Sequence, residues 1–186
     1  MANEAVIPIS ESLFAQVAQQ AANSPRRRKN HNLHQESDLV QRFLNVLQPG
    51  TYVRPHRHLR EQEGAGFECF VVLKGSIGLL VLSSAGEVLQ RERLEANGEV
   101  RGVQLAEGQF HTLVALEADS VMFEIKQGPY QPLEDKDFLT AFPLEGTPEA
   151  QQQEWLWRCH FNETPGDESD QAPAQSRSPH TSAQSG

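Results

Sequence analysis

The sequence has few cysteines, a deficit of basic residues and no long apolar run. Its two cysteines, Cys69 and Cys159, allow at most one disulfide and exclude a cysteine-rich metal knuckle. Sixteen Lys and Arg residues against 25 Asp and Glu residues give a net charge of −9, which argues against a nucleic-acid partner for the chain as a whole. Because no apolar run approaches about 18 residues, we also expect no membrane span.

The amino-terminal residues lack the features of a secretory signal. The segment MANEAVIPISESLF contains no basic stretch followed by an apolar one. We therefore expect a cytoplasmic protein with reduced thiols. With 186 residues, of which 38% are hydrophobic, the chain is long enough to bury a core without disulfides, and we expect one domain with appendages.

Composition divides the chain into four segments. These are an amino-terminal helix and basic arm (1–38), a β-barrel domain that carries the candidate metal site (39–130), a carboxy-terminal extension with a helix (131–161) and a disordered tail (162–186). The tail contains no Val, Ile, Leu, Met or aromatic residue, so it cannot bury enough apolar surface to offset the entropy lost on folding.

Six short runs rich in Val, Leu, Ile or Phe predict strands in the central segment. They cover residues 40–48, 67–74, 76–83, 86–94, 110–117 and 120–127. Glycines punctuate these runs and no helical stretch separates them, which predicts an all-β sandwich or barrel.

A helix is predicted on each side of these strands. Ser10 can cap the first helix, and Pro25 ends it. One face of this helix carries Leu13, Phe14, Val17, Ala18 and Ala21 at helical spacing. The second helix covers about residues 148–160 and begins near Pro148. One side of it carries Trp155, Leu156 and Cys159.

The strongest chemical signal is the His-x-His pair of His56 and His58 in the segment PGTYVRPHRH. Side chains alternate faces along a strand, so both imidazoles are expected on one face. Two neutral imidazoles that project together form half of a metal site. The same pair is also consistent with two surface histidines in an arginine-rich turn. A third histidine, His111, follows a glycine turn at the start of a predicted strand.

Together with the glycines around them, these histidines resemble the two motifs of the cupin superfamily. The first motif is Gly, five residues, His-x-His, a short gap, Glu, six residues and Gly, and it matches Gly50, His56, His58, Glu68 and Gly75. The second motif matches Gly102, Gly108 and His111. The resemblance implies an all-β fold, a cupin-type double-stranded β-helix or jelly-roll barrel, with short helical extensions. It further implies one divalent metal ion with four ligands, namely His56, His58, Glu68 and His111.

The sequence departs from the cupin pattern in two respects. Nine residues, 59–67, separate His58 from Glu68, where the pattern has three or four. Alanines replace the Pro and the Asn of the second motif. Because of the long gap, Glu61 and Glu63 compete with Glu68 for the ligand role. Only Glu68 keeps the six-residue interval to the following glycine, and we favour it.

The chain is similar to the WbuC family of cupin-fold metalloproteins over about residues 24–161. This similarity includes the segments PGTYVRPHRH, FHTLVALE and EIKQGPY, which extend beyond the general cupin motifs. Members are often encoded among bacterial surface-polysaccharide genes. The resemblance therefore implies a link to surface-polysaccharide (O-antigen) biosynthesis, without naming a substrate.

Three imidazoles and one carboxylate would suit Fe, Mn, Zn, Ni or Co as divalent ions. Four protein ligands leave open positions on a metal that accepts six, which is what a catalytic metal requires. We expect a metal-dependent enzyme that acts on a small polar or sugar-derived substrate. The alternatives are a non-catalytic, metal-dependent ligand-binding or sensing module and a purely structural metal.

Basic residues are concentrated near the metal motif. A small anionic or sugar-like ligand is expected there, because guanidinium groups bind carboxylate and phosphate well. The candidate ligand-binding residues are Arg28, Asn30, His34, Tyr52 and Arg54. The basic arm could instead be a solvated charge run, and Tyr52 could instead pack in the core. Exposed edges of a barrel favour pairing, so a homodimer is a further expectation.

Overall fold

The computed structural model describes residues 6–59, 66–129 and 136–162, and within these ranges the chain forms two helices and ten strands. The helices are α1 (Glu11–Asn23) and α2 (Pro148–Cys159). The strands are β1 (Arg28–Asn32), β2 (Val40–Leu47), β3 (His56–Arg57), β4 (Glu68–Lys74), β5 (Ser76–Leu82), β6 (Val88–Glu95), β7 (Gly102–Leu105), β8 (Phe110–Ala115), β9 (Ser120–Gln127) and β10 (Asp137–Phe138).

The strands form two five-stranded antiparallel sheets. One sheet has the order β1-β2-β9-β4-β7 and the other has the order β10-β3-β8-β5-β6. Apolar side chains from both sheets form one buried core, which includes Leu47, Phe70, Ile77, Leu113 and Met122. Two facing sheets with this strand order form a jelly-roll barrel, and the predicted cupin-type fold class is confirmed.

The first predicted helix is confirmed, and it covers one sheet of the barrel. The Ser10 hydroxyl caps α1 and accepts a hydrogen bond from the Leu13 amide at 3.4 Å. The apolar face of α1 packs against Leu44, Val46 and Val121. These residues point away from the barrel interior, so α1 closes the outer face of the sheet and leaves the interior to other side chains.

The sequence does not predict four of these strands, and two of the four contribute to the site. The basic arm forms β1, an edge strand that pairs with β2 so that Arg28 lies opposite Leu47 and Asn30 lies opposite Asn45. The arm is therefore part of a sheet and not only a solvated charge run. In the second sheet, β10 pairs with β3 and brings the carboxy-terminal extension next to the His-x-His segment.

The predicted bounds of the second helix are nearly right, but its buried side is not the predicted one. Trp155 and Leu156 are 55% and 44% exposed, whereas Trp157 is only 3% exposed. The Trp157 ring stacks on Tyr52 with ring centroids 5.5 Å apart and an interplanar angle of 4°. The buried face also contains Glu154, which accepts a hydrogen bond from the Gly50 amide. Because Glu154 is polar, the spacing of apolar residues does not identify this buried face of α2.

No helix among the described residues is long and apolar enough to cross a membrane. The predicted disordered tail lies outside the described residues, except for Asn162. Glu61 and Glu63, the competing ligand candidates, also lie outside them.

Candidate metal centre

Three histidines from two neighbouring strands meet inside the barrel. His56 in β3 lies directly opposite His111 in β8, and their ring centroids are 4.6 Å apart. His58 follows two residues later, and its ring centroid lies 5.1 Å from that of His56. All three histidines are buried, and each offers a ligand atom within 4.8 Å of the others. The histidines could therefore bind one metal ion.

Glycine turns hold these histidine segments against each other. Gly108 has a φ of +78°, which L residues rarely adopt, and its amide donates a hydrogen bond to the His58 carbonyl at 3.1 Å. At Gly66, a Cβ atom would lie 2.8 Å from the same carbonyl oxygen. Glycine at these positions thus allows the turn before His111 and the start of β4 to approach His58 closely.

Backbone carbonyls orient two of the imidazoles. His56 Nδ1 lies 2.9 Å from the Arg54 carbonyl oxygen, and His111 Nδ1 lies 3.0 Å from the Gln109 carbonyl oxygen. A carbonyl oxygen only accepts, so both rings donate an N–H from Nδ1. This tautomer leaves the Nε2 lone pair of each neutral ring for a metal, an arrangement typical of metal-binding histidines.

Glu68 completes the group from the opposite sheet. Its Oε1 lies 3.2 Å from His58 Nε2, and its Oε2 lies 3.1 Å from His111 Nε2. Despite this close contact, both ring nitrogens of His58 are buried and have no hydrogen-bond partner of good geometry among the described residues. Such unsatisfied nitrogens are unfavourable, and a metal ion would use one of their lone pairs. The four side chains therefore fit a metal.

The charges of the group also suit a cation. Burial lowers the pKa of His56 well below its usual value, so this ring is neutral. Burial alone would raise the pKa of Glu68, but His111 and His58 together lower it well below its usual range. Burial also lowers the pKa of His111, but the Glu68 carboxylate outweighs this effect and raises it. An ionised carboxylate beside the neutral His56 ring suits a divalent ion, and a metal that binds His111 would displace the proton that Glu68 favours on that ring.

A cavity of about 70 Å³ adjoins these four residues. About 10–15 Å³ of such space holds one water molecule, so the cavity has room for several waters or a small ligand. Its polar wall consists of Arg28, Asn30, Asn45, Glu124 and Lys136. Its apolar wall consists of Leu47, Val53, Phe70, Leu113 and Met122. A metal bound here would therefore face a partly polar, partly apolar chamber.

Of the five predicted ligand-binding residues, only Arg28 and Asn30 line this cavity. The Arg28 guanidinium already has partners. Its Nη1 and Nη2 donate to the Glu145 carboxylate at 2.5 and 3.1 Å, and Nη1 also donates to the Tyr52 carbonyl at 2.9 Å. Arg28 thus ties β1 to the carboxy-terminal extension while it lines the cavity.

The structure places the other three predicted residues elsewhere. The Tyr52 hydroxyl donates to the Pro143 carbonyl at 2.9 Å, and burial raises the pKa of Tyr52 to about 12. The Arg54 guanidinium lies over the Phe138 ring, 5.4 Å from its centroid. His34 accepts a hydrogen bond from the Arg42 amide. None of these three residues lines the cavity beside the histidines.

Sequence reasoning missed Asn45, Glu124 and Lys136. Asn45 and Glu124 lie in strands that the apolar pattern predicted correctly, but they are polar residues that face the barrel interior. A polar residue at an inward position of a strand is the signal that could have identified them.

The comparisons with known proteins assign no activity. A family model described as "Domain of unknown function (DUF6016)" matches residues 9–94, a range that ends before His111. No curated protein matches the chain. The similar solved structures include KdgF from Halomonas sp., with 16% identity, a TM-score of 0.44, and coverage of 59% of this chain and 85% of KdgF.

Two further structures are similar at the same level. CapF from Staphylococcus aureus has 18% identity and a TM-score of 0.45, with coverage of 57% of this chain but only 30% of CapF. A cupin-2 domain protein from Shewanella frigidimarina has 15% identity and a TM-score of 0.40, with coverage of 54% of this chain and 80% of that protein. The chain's own sheet topology makes it a cupin-type jelly-roll barrel, and its buried histidines could bind a metal.

Proposed function

We propose that this protein is a WbuC-type cupin metalloenzyme that acts on a small polar or sugar-derived substrate. The observation that carries the proposal is the group of His56, His58, His111 and Glu68 beside a cavity with room for a ligand. The WbuC assignment, the link to surface-polysaccharide (O-antigen) biosynthesis and the cytoplasmic location rest on the sequence alone.

The four residues would hold the ion with three imidazole nitrogens and a carboxylate. A divalent ion held in this way supplies a Lewis acid that can polarise a substrate oxygen. The protein's part is to fix the donors. The carbonyls of Arg54 and Gln109 orient the rings of His56 and His111. Glu68 brings one negative charge to the three imidazoles, and the burial of all four side chains keeps bulk water away from the donors.

Turnover of a defined substrate panel tests the proposal. The full chain, purified without a metal-affinity tag and loaded in turn with Fe, Mn, Zn, Ni and Co, is incubated with nucleotide sugars and sugar acids. The proposal expects turnover of at least one compound with at least one metal, and its loss in the His56→Ala variant. If no loaded form reacts although a compound shifts the unfolding temperature only when metal is present, the protein is a binding or sensing module instead.

A further inference from the structure

Two polar side chains of the cavity wall, Asn45 and Glu124, are neighbours on the interior face of one sheet. Asn45 in β2 lies opposite Met122, and Glu124 in β9 lies opposite Phe43, so the two are diagonal neighbours across the strand pair. Both line the same cavity as the three histidines. The polar pair and the candidate metal ligands therefore share one chamber.

The hydrogen bonds of this pair are incomplete. Asn45 is only 7% exposed, and its Nδ2 donates to Glu124 Oε2 at 2.5 Å. Its Oδ1 is buried and accepts no hydrogen bond from the residues that the structure describes. An unsatisfied buried acceptor is unfavourable, so a position that keeps one is suited to a ligand that donates. Asn45 Oδ1 and the Glu124 carboxyl together offer acceptors to such a ligand.

The surroundings indicate what kind of donor fits. On the same sheet as this pair, Leu47, Phe70 and Met122 provide an adjoining apolar surface, and Leu113 lines the cavity from the other sheet. Asn30, which lies opposite Asn45 in the β1–β2 register, extends the polar side toward the exposed edge of the sheet. A molecule with hydroxyl groups along one edge and C–H groups along the other matches this division. Arg28 does not offer a free anion site, because Glu145 occupies its guanidinium.

We infer that Asn45 and Glu124 form a hydroxyl-recognition wall, which binds adjacent hydroxyl groups of a small polyhydroxylated ligand beside the metal site. The inference rests on the proposed function, because it places the ligand in the same cavity. It names the substrate class by its hydroxyl donors and assigns specificity to two residues outside the metal-binding group.

Butane-1,2,3,4-tetrols and butane-1,4-diol test the inference, because they are uncharged and differ only in two adjacent hydroxyl groups. Erythritol, each threitol enantiomer and butane-1,4-diol are titrated into the metal-loaded full chain by calorimetry, after elemental analysis of the same sample. Two added hydrogen bonds of ordinary strength should make one tetrol bind about tenfold or more tightly than butane-1,4-diol. Asn45→Leu should reduce this preference to below about threefold without changing the metal content.

A matched control and a second variant distinguish a loss of ligand recognition from misfolding of the Asn45→Leu protein. Gln90→Leu makes the same amide-to-aliphatic exchange on the exposed strand β6 and should keep the full preference. Asn45→Ala, which adds no atoms to the cavity, should lose it, and thermal melts verify that each variant is folded.

The inference is overturned if no tetrol binds, if butane-1,4-diol binds as tightly as every tetrol, or if both Asn45 variants keep the preference. These outcomes are distinct from a failure of the proposed function. A chain that prefers a tetrol but turns over no compound supports the recognition wall and contradicts the enzyme. If the chain holds no metal, the proposed metal site fails, and the same titration of the metal-free chain still tests the wall.

Discussion

Replacing Glu68 by glutamine should remove most of the stabilisation that a bound metal gives to this protein. Glu68 is the only anionic member of the candidate metal-binding group, and its two oxygens lie 3.2 and 3.1 Å from His58 Nε2 and His111 Nε2. The substitution keeps the shape of the side chain and removes its charge. Loss of an outer partner of a metal ligand typically lowers metal affinity about 10–100-fold, and we expect loss of a charged ligand to reach at least the upper value.

The loss of metal affinity can be measured as a smaller metal-dependent rise in the unfolding temperature, Tm. A metal held at about 1,000 times its Kd stabilises a protein by about 4.1 kcal/mol, and a 100-fold weaker affinity removes about 2.7 kcal/mol of this. For a chain of about 150–250 residues, each kcal/mol shifts Tm by about 2–4 °C. We therefore expect the metal-dependent rise in Tm of Glu68→Gln to be about 5–11 °C smaller than that of the unaltered protein.

Scanning calorimetry at one buffered free-metal concentration measures this difference. Glu124→Gln is the matched control, because it makes the same exchange at another carboxyl that lines the cavity but lies outside the proposed ligand group. The control should keep its metal-dependent rise in Tm. The reasoning is refuted if Glu68→Gln keeps the full rise, or if both variants lose it equally.

Two predictions concern the scaffold around the site. Trp157→Ala should lower the free energy of unfolding, measured by urea titration, by about 3–5 kcal/mol, because Trp157 is buried against Tyr52. Trp155 is exposed, so Trp155→Ala should change the free energy of unfolding by less than about 0.5 kcal/mol. Equal losses in the two variants would contradict the assigned helix face. Burial alone would raise the pKa of Glu145, but hydrogen bonds from Arg26 and Arg28 lower it below its usual value. The contribution of Glu145 to stability, about 1 kcal/mol or less, is therefore present at neutral pH and is lost as pH falls through the lowered pKa. Glu145→Gln should therefore be less stable than the unaltered protein at neutral pH and should approach it in acid, and a difference that grows in acid would disprove this role.

The fold follows from the sequence wherever the pattern is local. Apolar spacing and helix caps predict the six longer strands and both helices, because these signals depend on residues that are close together in sequence. The short strands β3, β7 and β10 were not predicted, because two to four residues are too few to show the alternation of apolar and polar side chains. In α2, the buried Glu154 satisfies its carboxylate with the distant Gly50 amide, so a polar residue occupies a core position.

The candidate site also has one part that could be predicted from local motifs and another that depends on distant contacts. The resemblance of the segments around His56, His58 and His111 to the cupin motifs led us to expect that these three residues meet. The partner of Arg28 was not predictable, because Glu145 lies 117 residues away in sequence. Asn45 and Glu124 are 79 residues apart, and only the pairing of β2 with β9 brings them together. Contacts that depend on which strands pair cannot be deduced from local composition.

Elemental analysis tests the central claim most directly. The full chain, purified without an affinity tag and dialysed after incubation with each candidate metal, is compared with a His56→Ala/His111→Ala double variant that thermal melts show to be folded. The account predicts about one divalent ion per chain in the unaltered protein and almost none in the double variant, since both lost imidazoles are ligands. A chain that binds no metal after reconstitution, or a double variant that keeps the same metal content, would contradict it.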